Sequence, residues 1–172
     1  MANTIFIGPA EQQPEVLERA ASERILPGQF VVEVDGEFQL LNDSTGGVVY
    51  IALENLLDDT ADAYELGDSI QAAKVDSGQY YQSILEGGRS VSYGDPLVVN
   101  SASILTHAAT GDDVICNADE QKTTDSESAF VRVFFSKNFI QGAITSWYNK
   151  STGMINCSDS LIQCNEELIQ CL

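Results

Sequence analysis

Four aspartates in glycine-containing turns are the residues whose type and spacing could do chemistry. Asp68, Asp95, Asp112 and Asp113 lie in the segments "LGD", "YGDP" and "TGDD". Carboxylates bind Ca²⁺ and Mg²⁺, but such a site needs several oxygens that converge on one point. Here the acids are scattered over separate turns, and Gly followed by Asp is typical of a turn in which the carboxylate bonds its own backbone. We therefore predict structural turns, with no metal site and no cofactor.

The single histidine offers a second candidate for chemistry. His107 closely follows Ser101 and Ser103, and with one of the many acids these residues have the types of a Ser-His-Asp triad. The sequence has no G-x-S-x-G motif, no P-loop and no G-x-G-x-x-G motif. We predict no catalytic residues and no enzymatic activity. An enzyme built on an acidic β barrel, such as a nucleotide hydrolase, stays open as an alternative.

The four cysteines do not have the spacing of a zinc site. Cys116 stands apart, and Cys157, Cys164 and Cys171 follow one another at seven-residue intervals without any C-x₂-C pair. A seven-residue interval places side chains along one stripe of a helix. We predict buried or half-buried thiols rather than metal ligands or a disulfide.

The C-terminal segment carries a narrow apolar seam. We predict a short terminal helix that begins at Ser158 or Asp159. Its stripe consists of four residues with 3-4-3 spacing, namely Leu161, Cys164, Leu168 and Cys171. One stripe on so short a helix does not stabilise it alone, so the seam must pack on its own domain or on another copy. We favour the other copy.

Between residues 29 and 135 the sequence is typical of short β-strands separated by turns. "QFVVEVDGEFQLL" (29–41) predicts a hairpin around Asp35-Gly36, and "GGVVYIAL" (46–53) predicts a buried strand. "AFVRVFF" (129–135) predicts a central strand with one face formed by Phe130, Arg132 and Phe134. Turn signals recur with no long helix between them, so the fold class is all-β, mainly an antiparallel β barrel or sandwich.

The N-terminal residues 1–27 are predicted to form an arm. Within it, "PEVLERAASERIL" (14–26) has weak helical spacing that ends at Pro27-Gly28. The short apolar run Ile5, Phe6 and Ile7 either adds a strand to the sheet edge of a partner or forms a strand of the chain's own barrel.

Net charge restricts the possible partners. The chain has 26 Asp and Glu against 8 Lys and Arg, which gives a formal net charge of −18. Nucleic-acid binding depends on basic side chains that replace counterions at phosphates, and anionic lipid also repels an acidic protein. No apolar run approaches the ~20 residues of a membrane helix. We predict no nucleic-acid or membrane partner and, because the first residues lack a basic and apolar leader, synthesis in a cytoplasm.

The order of several landmarks resembles the head decoration (capsid cement) proteins of tailed bacteriophages. "ILPGQFVVEV" is followed by "GGVVYIALEN", then by "DDTADAYELGD", by "YGDPL" and by "AFVRVFF". Decoration proteins typically show a Pro-Gly-x-x-Val strand, an apolar strand ending in Ala-Leu-Glu, and two Gly-Asp turns in this order. The resemblance covers roughly residues 25–135. The second Gly-Val-Ala-Leu-Glu-like strand of relatives has only a distant counterpart in "DVICNADEQ" (113–121), and 138–172 has none.

This resemblance implies a virion protein that is synthesised in the host bacterial cytoplasm, binds the outer surface of an expanded capsid and stabilises it. The implied partner is the major capsid protein, and the implied assembly is a homotrimer on the capsid. The domains would be an N-terminal arm (1–27), a β-rich decoration domain (28–137) and a C-terminal extension (138–172). Ile5, Phe6 and Ile7 would bind the capsid, and the C-terminal seam would join copies.

The alternative function is a carbohydrate- or receptor-binding module displayed on the virion. Such a module would use exposed aromatic side chains, of which the candidates are Tyr80, Tyr81, Tyr93, Trp147 and Tyr148.

Overall fold

The computed structural model describes residues 4–9, 13–42, 47–55, 62–110 and 112–135, and the backbone of three strands between 148 and 163. Within these ranges the secondary structure consists of strands, bridges and turns, which confirms the all-β prediction. No helix there is long and apolar enough to cross a membrane.

Ten strands form two closed five-stranded barrels. The first barrel has the order β1-β3-β2-β4-β5, with strands β1 (Val16–Ala21), β2 (Phe30–Val34), β3 (Glu37–Leu40), β4 (Val49–Ala52) and β5 (Ser69–Lys74). The second has the order β10-β12-β6-β9-β8. Its strands are β6 (Tyr80–Leu85), β8 (Pro96–Val99), β9 (Leu105–His107), β10 (Cys116–Ala118) and β12 (Ala129–Phe134). A separate two-stranded sheet is formed by β7 (Ser90–Val91) and β11 (Lys122–Thr123). Every barrel strand thus has a partner on both sides, although β6 meets β9 only at Leu85 opposite Leu105.

The predicted hairpin and strands are present. β2 and β3 pair antiparallel with Val34 opposite Glu37, and the two residues between them have positive φ: 52° at Asp35 and 86° at Gly36. Positive φ at both central residues is the geometry that favours Asp-Gly in a tight hairpin. β12 pairs with both β6 and β10, so it is a central strand of its sheet, as its sequence predicts.

Two strands of the first barrel, β2 and β4, have apolar runs because both of their faces are buried there. One set of alternating side chains fills the interior of this barrel, including Val31, Phe38 and Ile70. The other set packs with residues of the second barrel in one hydrophobic cluster. For example, the rings of Phe30 and Phe135 lie 6.3 Å apart, centre to centre. Two-sided burial explains the uninterrupted apolar runs in "FVV" and "VYIA".

Buried hydrogen bonds also connect the barrels. The Ser83 hydroxyl of β6 donates to the Gly28 carbonyl at 2.8 Å, and the Gln29 amide donates to the Ala102 carbonyl at 2.8 Å. The Ser103 hydroxyl donates to the Leu41 carbonyl. A buried polar group is costly without a partner, so these bonds fix the relative position of the two barrels.

Two helix predictions are wrong. The segment with weak helical spacing (14–26) instead contains β1, which pairs with β5 from Val16 to Ala20 and joins the first barrel. Its alternate residues face the barrel interior, and tertiary pairing outweighs a weak helical pattern. The part of the predicted arm (1–27) that holds β1 is thus built into the barrel.

The C-terminal extension is also not helical where it is described. It contains a three-stranded antiparallel sheet of β13 (Tyr148–Asn149), β14 (Met154–Cys157) and β15 (Ser160–Gln163). Residues 160–163 were predicted as the first turn of a helix, and they instead pair with β14, with Asn156 opposite Leu161. Pairing with β14 gives the backbone of residues 160–163 hydrogen-bond partners. A short helix with a single apolar stripe would be only marginally stable.

Truncation after Lys137 is expected to leave a cooperatively folded protein. All ten barrel strands and both hydrophobic clusters lie before that residue, so the truncated chain keeps its core contacts. Thermal unfolding followed by near-ultraviolet circular dichroism tests this, with the full chain as the reference. A truncated chain without a cooperative transition would show that 138–172 belongs to the core.

Candidate functional site

The Gly-Asp turns are structural wherever the structure describes them. In each, the carboxylate of the fourth residue accepts the backbone N–H of the first: Asp68 from Glu65 at 2.7 Å, and Asp95 from Ser92 at 2.8 Å. The N–H of the aspartate in turn donates to the carbonyl of the first residue, at 3.0 and 3.1 Å. Asp112 makes the same two bonds with Ala109. These carboxylates are used within their own turns, which confirms the turn prediction.

Two further turns have the same geometry with glutamine in place of aspartate. Sequence reasoning identified turn signals at Pro27-Gly28 and at 76–78 but missed this role of glutamine. Gln29 accepts the N–H of Leu26 at 2.7 Å, and Gln79 accepts the N–H of Asp76 at 2.9 Å. The third residue of the turn is a glycine with φ between 84° and 89° at Gly28, Gly67, Gly78 and Gly94. Such a φ is the hallmark of a type II turn. The recurring x-x-Gly-Asp/Gln pattern was the available signal, and in four of the five turns a strand starts at the next residue.

The residues considered for a triad differ in burial and form hydrogen bonds with other residues. Ser103 is fully buried and its hydroxyl donates to Leu41, whereas Ser101 is exposed. His107 is exposed, and its Nε2 lies 2.7 Å from the Ser90 carbonyl oxygen. Among the described residues there is no group of three His, Cys, Asp or Glu that could hold a metal ion.

The apolar run Ile5, Phe6 and Ile7 lies along β6 of this same chain. The Ile5 carbonyl accepts the N–H of Gln82 at 2.7 Å, and the Ile7 N–H donates to the Tyr80 carbonyl at 3.1 Å. Ile5 is fully buried in the shared cluster, and the Phe6 ring meets that of Tyr81 edge-on at 5.5 Å. The run therefore lies against the chain's own second barrel, where Phe6 and Tyr81 form an isolated antiparallel bridge.

The Glu54 side chain forms hydrogen bonds with the beginning of this N-terminal segment. Its carboxylate accepts the Ile5 N–H and the Thr4 hydroxyl, both at 2.8 Å. Capsid binding through Ile5, Phe6 and Ile7 stays a prediction. For the Ile5 side chain to contact a capsid protein, it would have to leave the hydrophobic core.

The C-terminal seam is only partly described. Leu161 lies in β15, and Cys164, Leu168 and Cys171 lie outside the described residues. Contact between copies through this seam stays a prediction. Of the cysteines, Cys116 is buried in the shared cluster as expected, and burial raises the pKa of its thiol.

Buried tyrosines are held neutral by the core. Burial, with a smaller effect of the Glu54 charge, raises the pKa of Tyr64 to about 12, and the Tyr64 hydroxyl donates to the Leu53 carbonyl at 3.1 Å. Burial likewise raises the pKa of Tyr81, whose hydroxyl donates to Gln79 at 2.7 Å and contacts the Lys74 carbonyl at 3.2 Å. Tyr81, one of the candidates for an exposed binding residue, is therefore a core residue.

The surface of the second barrel carries three aromatic rings in contact, which we name the aromatic surface: Tyr80, Tyr93 and Phe134. Tyr80 of β6 lies opposite Phe134 of β12, with ring centres 6.2 Å apart and planes 33° apart. Tyr93, from the Ser92–Asp95 turn, stacks on Phe134 with centres 6.1 Å apart and planes 22° apart. Tyr93 is 70% exposed and Tyr80 is 36% exposed. Of the other aromatic candidates, Trp147 lies outside the described residues, and only the backbone of Tyr148 is described.

A row of polar side chains runs beside the aromatic surface. On β12, Arg132 precedes Phe134 by two residues and so shares its face, and it lies opposite Gln82. The Arg132 guanidinium pairs with the Asp119 carboxylate at 2.6 Å and donates to the Asp119 carbonyl at 2.8 Å. Asn117, opposite Phe134, donates to the Gly94 carbonyl at 3.1 Å and so fixes the turn that carries Tyr93.

Comparison with known proteins finds similarity to solved structures and to no family model or curated protein. No protein-family model matches the chain, and no curated protein matches it. Among solved structures, the chain is similar to the head fiber gp8.5 N base of bacteriophage phi29, with 14% identity and a TM-score of 0.47. The match covers 74% of this chain and 98% of that one. A likeness at this level carries no conclusion about what this chain binds.

Proposed function

We propose that this chain is a structural virion protein of a tailed bacteriophage that binds the outer surface of the expanded capsid and stabilises it. The observation that carries the proposal is the ordered set of landmarks between residues 25 and 135, which resembles capsid decoration proteins. No catalytic or metal-binding role enters the proposal.

The positions of the landmarks support this interpretation. "ILPGQFVVEV" comprises the Leu26–Gln29 turn and β2, and "GGVVYIALEN" contains β4. The two Gly-Asp landmarks are the turns directly before β5 and β8, and "AFVRVFF" contains β12. The residues that carry the resemblance are thus the ones that start and form strands. A pattern shared through a common scaffold would have its landmarks at such positions.

Charge supports the outer rather than the inner face of the shell. Arg19, Arg24, Lys74, Arg89 and Arg132 each pair with a carboxylate at 2.6 to 3.5 Å, so these cations are already partly neutralised. A net charge of −18 repels packaged DNA, which lines the interior. The proposed partner is the major capsid protein. The proposed arrangement is a homotrimer on the shell: cyclic symmetry lets identical chains close an interface, and the resemblance to decoration proteins favours three copies.

The test is binding to expanded, undecorated heads of the phage, followed by pelleting. We expect the protein to pellet with expanded heads and saturate at a fixed ratio to the capsid protein, and to pellet much less with unexpanded heads. Decorated heads should retain DNA to a higher temperature, because many weak contacts that bridge capsomers act together. The chain truncated after Lys137 serves as a second sample, and we expect it to bind more weakly. A protein that stays in the supernatant at every concentration would contradict the proposal.

A further inference from the structure

The ring of Tyr93 is not required by the turn that carries it. Five turns share the same side-chain and backbone bonds, and their second residues are Pro27, Leu66, Ser77, Tyr93 and Thr110. These residues differ in size, polarity and shape, so the turn accepts almost any side chain there. Nor does folding account for the ring, since a side chain that is 70% exposed contributes little by burial.

Within the described residues, the large exposed apolar side chains are otherwise aliphatic and come from separate turns and strands, namely Val16, Val48, Leu66 and Val114. Tyr80 and Tyr93 differ from them because both contact the same third ring, Phe134. Two of the three rings stand on paired strands of a closed barrel, which holds them more firmly than a loop would. The aromatic surface is therefore a preformed feature.

The composition of this surface fits a saccharide. Aromatic faces pack against the apolar C–H faces of a sugar ring, and hydroxyl groups need hydrogen-bonding side chains alongside. Both components are present: the three rings, and the polar row formed by Gln82, Asn117, Asp119 and Arg132. Within that row Asp119 is buried and the Gln82 amide donates to the Thr4 carbonyl at 2.7 Å, so Asn117 and Arg132 are the side chains best placed to meet a ligand. Arg132 is 50% exposed at its side chain, within reach of solvent and of a ligand beside Phe134.

The extent of the aromatic surface and the net charge of the chain restrict the class of ligand further. A stable protein interface uses roughly 20–30 residues on each side. Three rings with a short polar row are far fewer, so a small ligand such as a short oligosaccharide suits this surface better than a protein partner. The net charge of −18 repels acidic polysaccharides, and a neutral sugar is not affected.

From these observations we infer that Tyr80, Tyr93 and Phe134, with the polar row beside them, form a binding site for a neutral hexopyranose oligosaccharide. This site goes beyond the proposed capsid function and does not depend on it. On a capsid-bound protein it would permit attachment of the particle to a polysaccharide surface, where many copies would convert weak binding into strong retention.

The test is affinity electrophoresis and calorimetry of the full chain with neutral glucan, mannan and chitin oligosaccharides, and with heparin as an anionic comparison. We expect binding to at least one neutral oligosaccharide and none to heparin. Tyr93→Ala is expected to weaken that binding about tenfold, because it removes a stacking face, and Tyr93→Phe is expected to keep most of it.

Leu66→Ala is the matched control, because Leu66 holds the same place in its turn as Tyr93 and is 74% exposed. It should bind like the unmodified chain, and thermal unfolding of all variants should coincide. Absence of binding to every neutral probe would overturn the inference, as would binding that Tyr93→Ala leaves unchanged. Sedimentation that shows a dimer abolished by Tyr93→Ala would also overturn it, since a second copy would then occupy the surface.

Discussion

Replacing Ile5 with alanine is expected to lower the free energy of unfolding by about 2–5 kcal/mol. Ile5 lies in a segment with the sequence character of an arm, yet its side chain is fully buried in the cluster that both barrels share. Removing three methyl or methylene carbons there leaves a cavity between barrels whose backbone positions are fixed by hydrogen bonds on either side. Urea unfolding of the variant and the unmodified chain gives the difference directly.

Ile7→Ala is the matched control for this substitution. Ile7 lies in the same N-terminal segment and is only half-buried, and its bond to Tyr80 uses the backbone N–H, which alanine retains. We expect a loss below about 1 kcal/mol. Equal, small losses at both positions would show that the segment is not part of the core in solution, and would favour its availability to a capsid protein.

Gly28→Ala is expected to destabilise the protein by about 2–4 kcal/mol, from two causes that act together. The φ of Gly28 is +84°, which an alanine adopts only with strain. A Cβ at this position would also lie 2.7 Å from Cε1 of Phe130, so the phenylalanine ring would have to shift from its place against the core. The measurement is again urea unfolding at equilibrium.

Gly67→Ala separates the two causes. Gly67 occupies the same third position of an equivalent turn with a φ of +89°, but a Cβ there meets nothing within 4 Å. We expect a loss of about 1–2 kcal/mol, from backbone strain alone. If Gly67→Ala were as damaging as Gly28→Ala, the close approach of Phe130 would not be the reason for glycine at position 28.

Local sequence patterns determined the parts of this fold whose physical cause is local. Asp35-Gly36 specifies its own hairpin, because both residues tolerate positive φ, and each Gly-Asp turn is closed by bonds among four consecutive residues. Alternation in "AFVRVFF" predicted that Val131, Val133 and Phe135 share one face of a strand, and the structure shows that this face is the fully buried one. The sequence also determined the strong net negative charge, which is a matter of composition alone.

Tertiary structure decided the features that depend on distant partners. The segment 16–21 has a weak helical pattern, and it forms a strand because β5 and β3 offer backbone bonds on both sides. The sequence around Ile5 predicts a free arm, and only the fold places Glu54 and Gln82 where they form hydrogen bonds with its backbone. Tyr80, Tyr93 and Phe134 are far apart in the chain, and only closure of the second barrel makes them one surface. Such contacts follow from which strands pair, and short-range periodicity contains no information about that pairing.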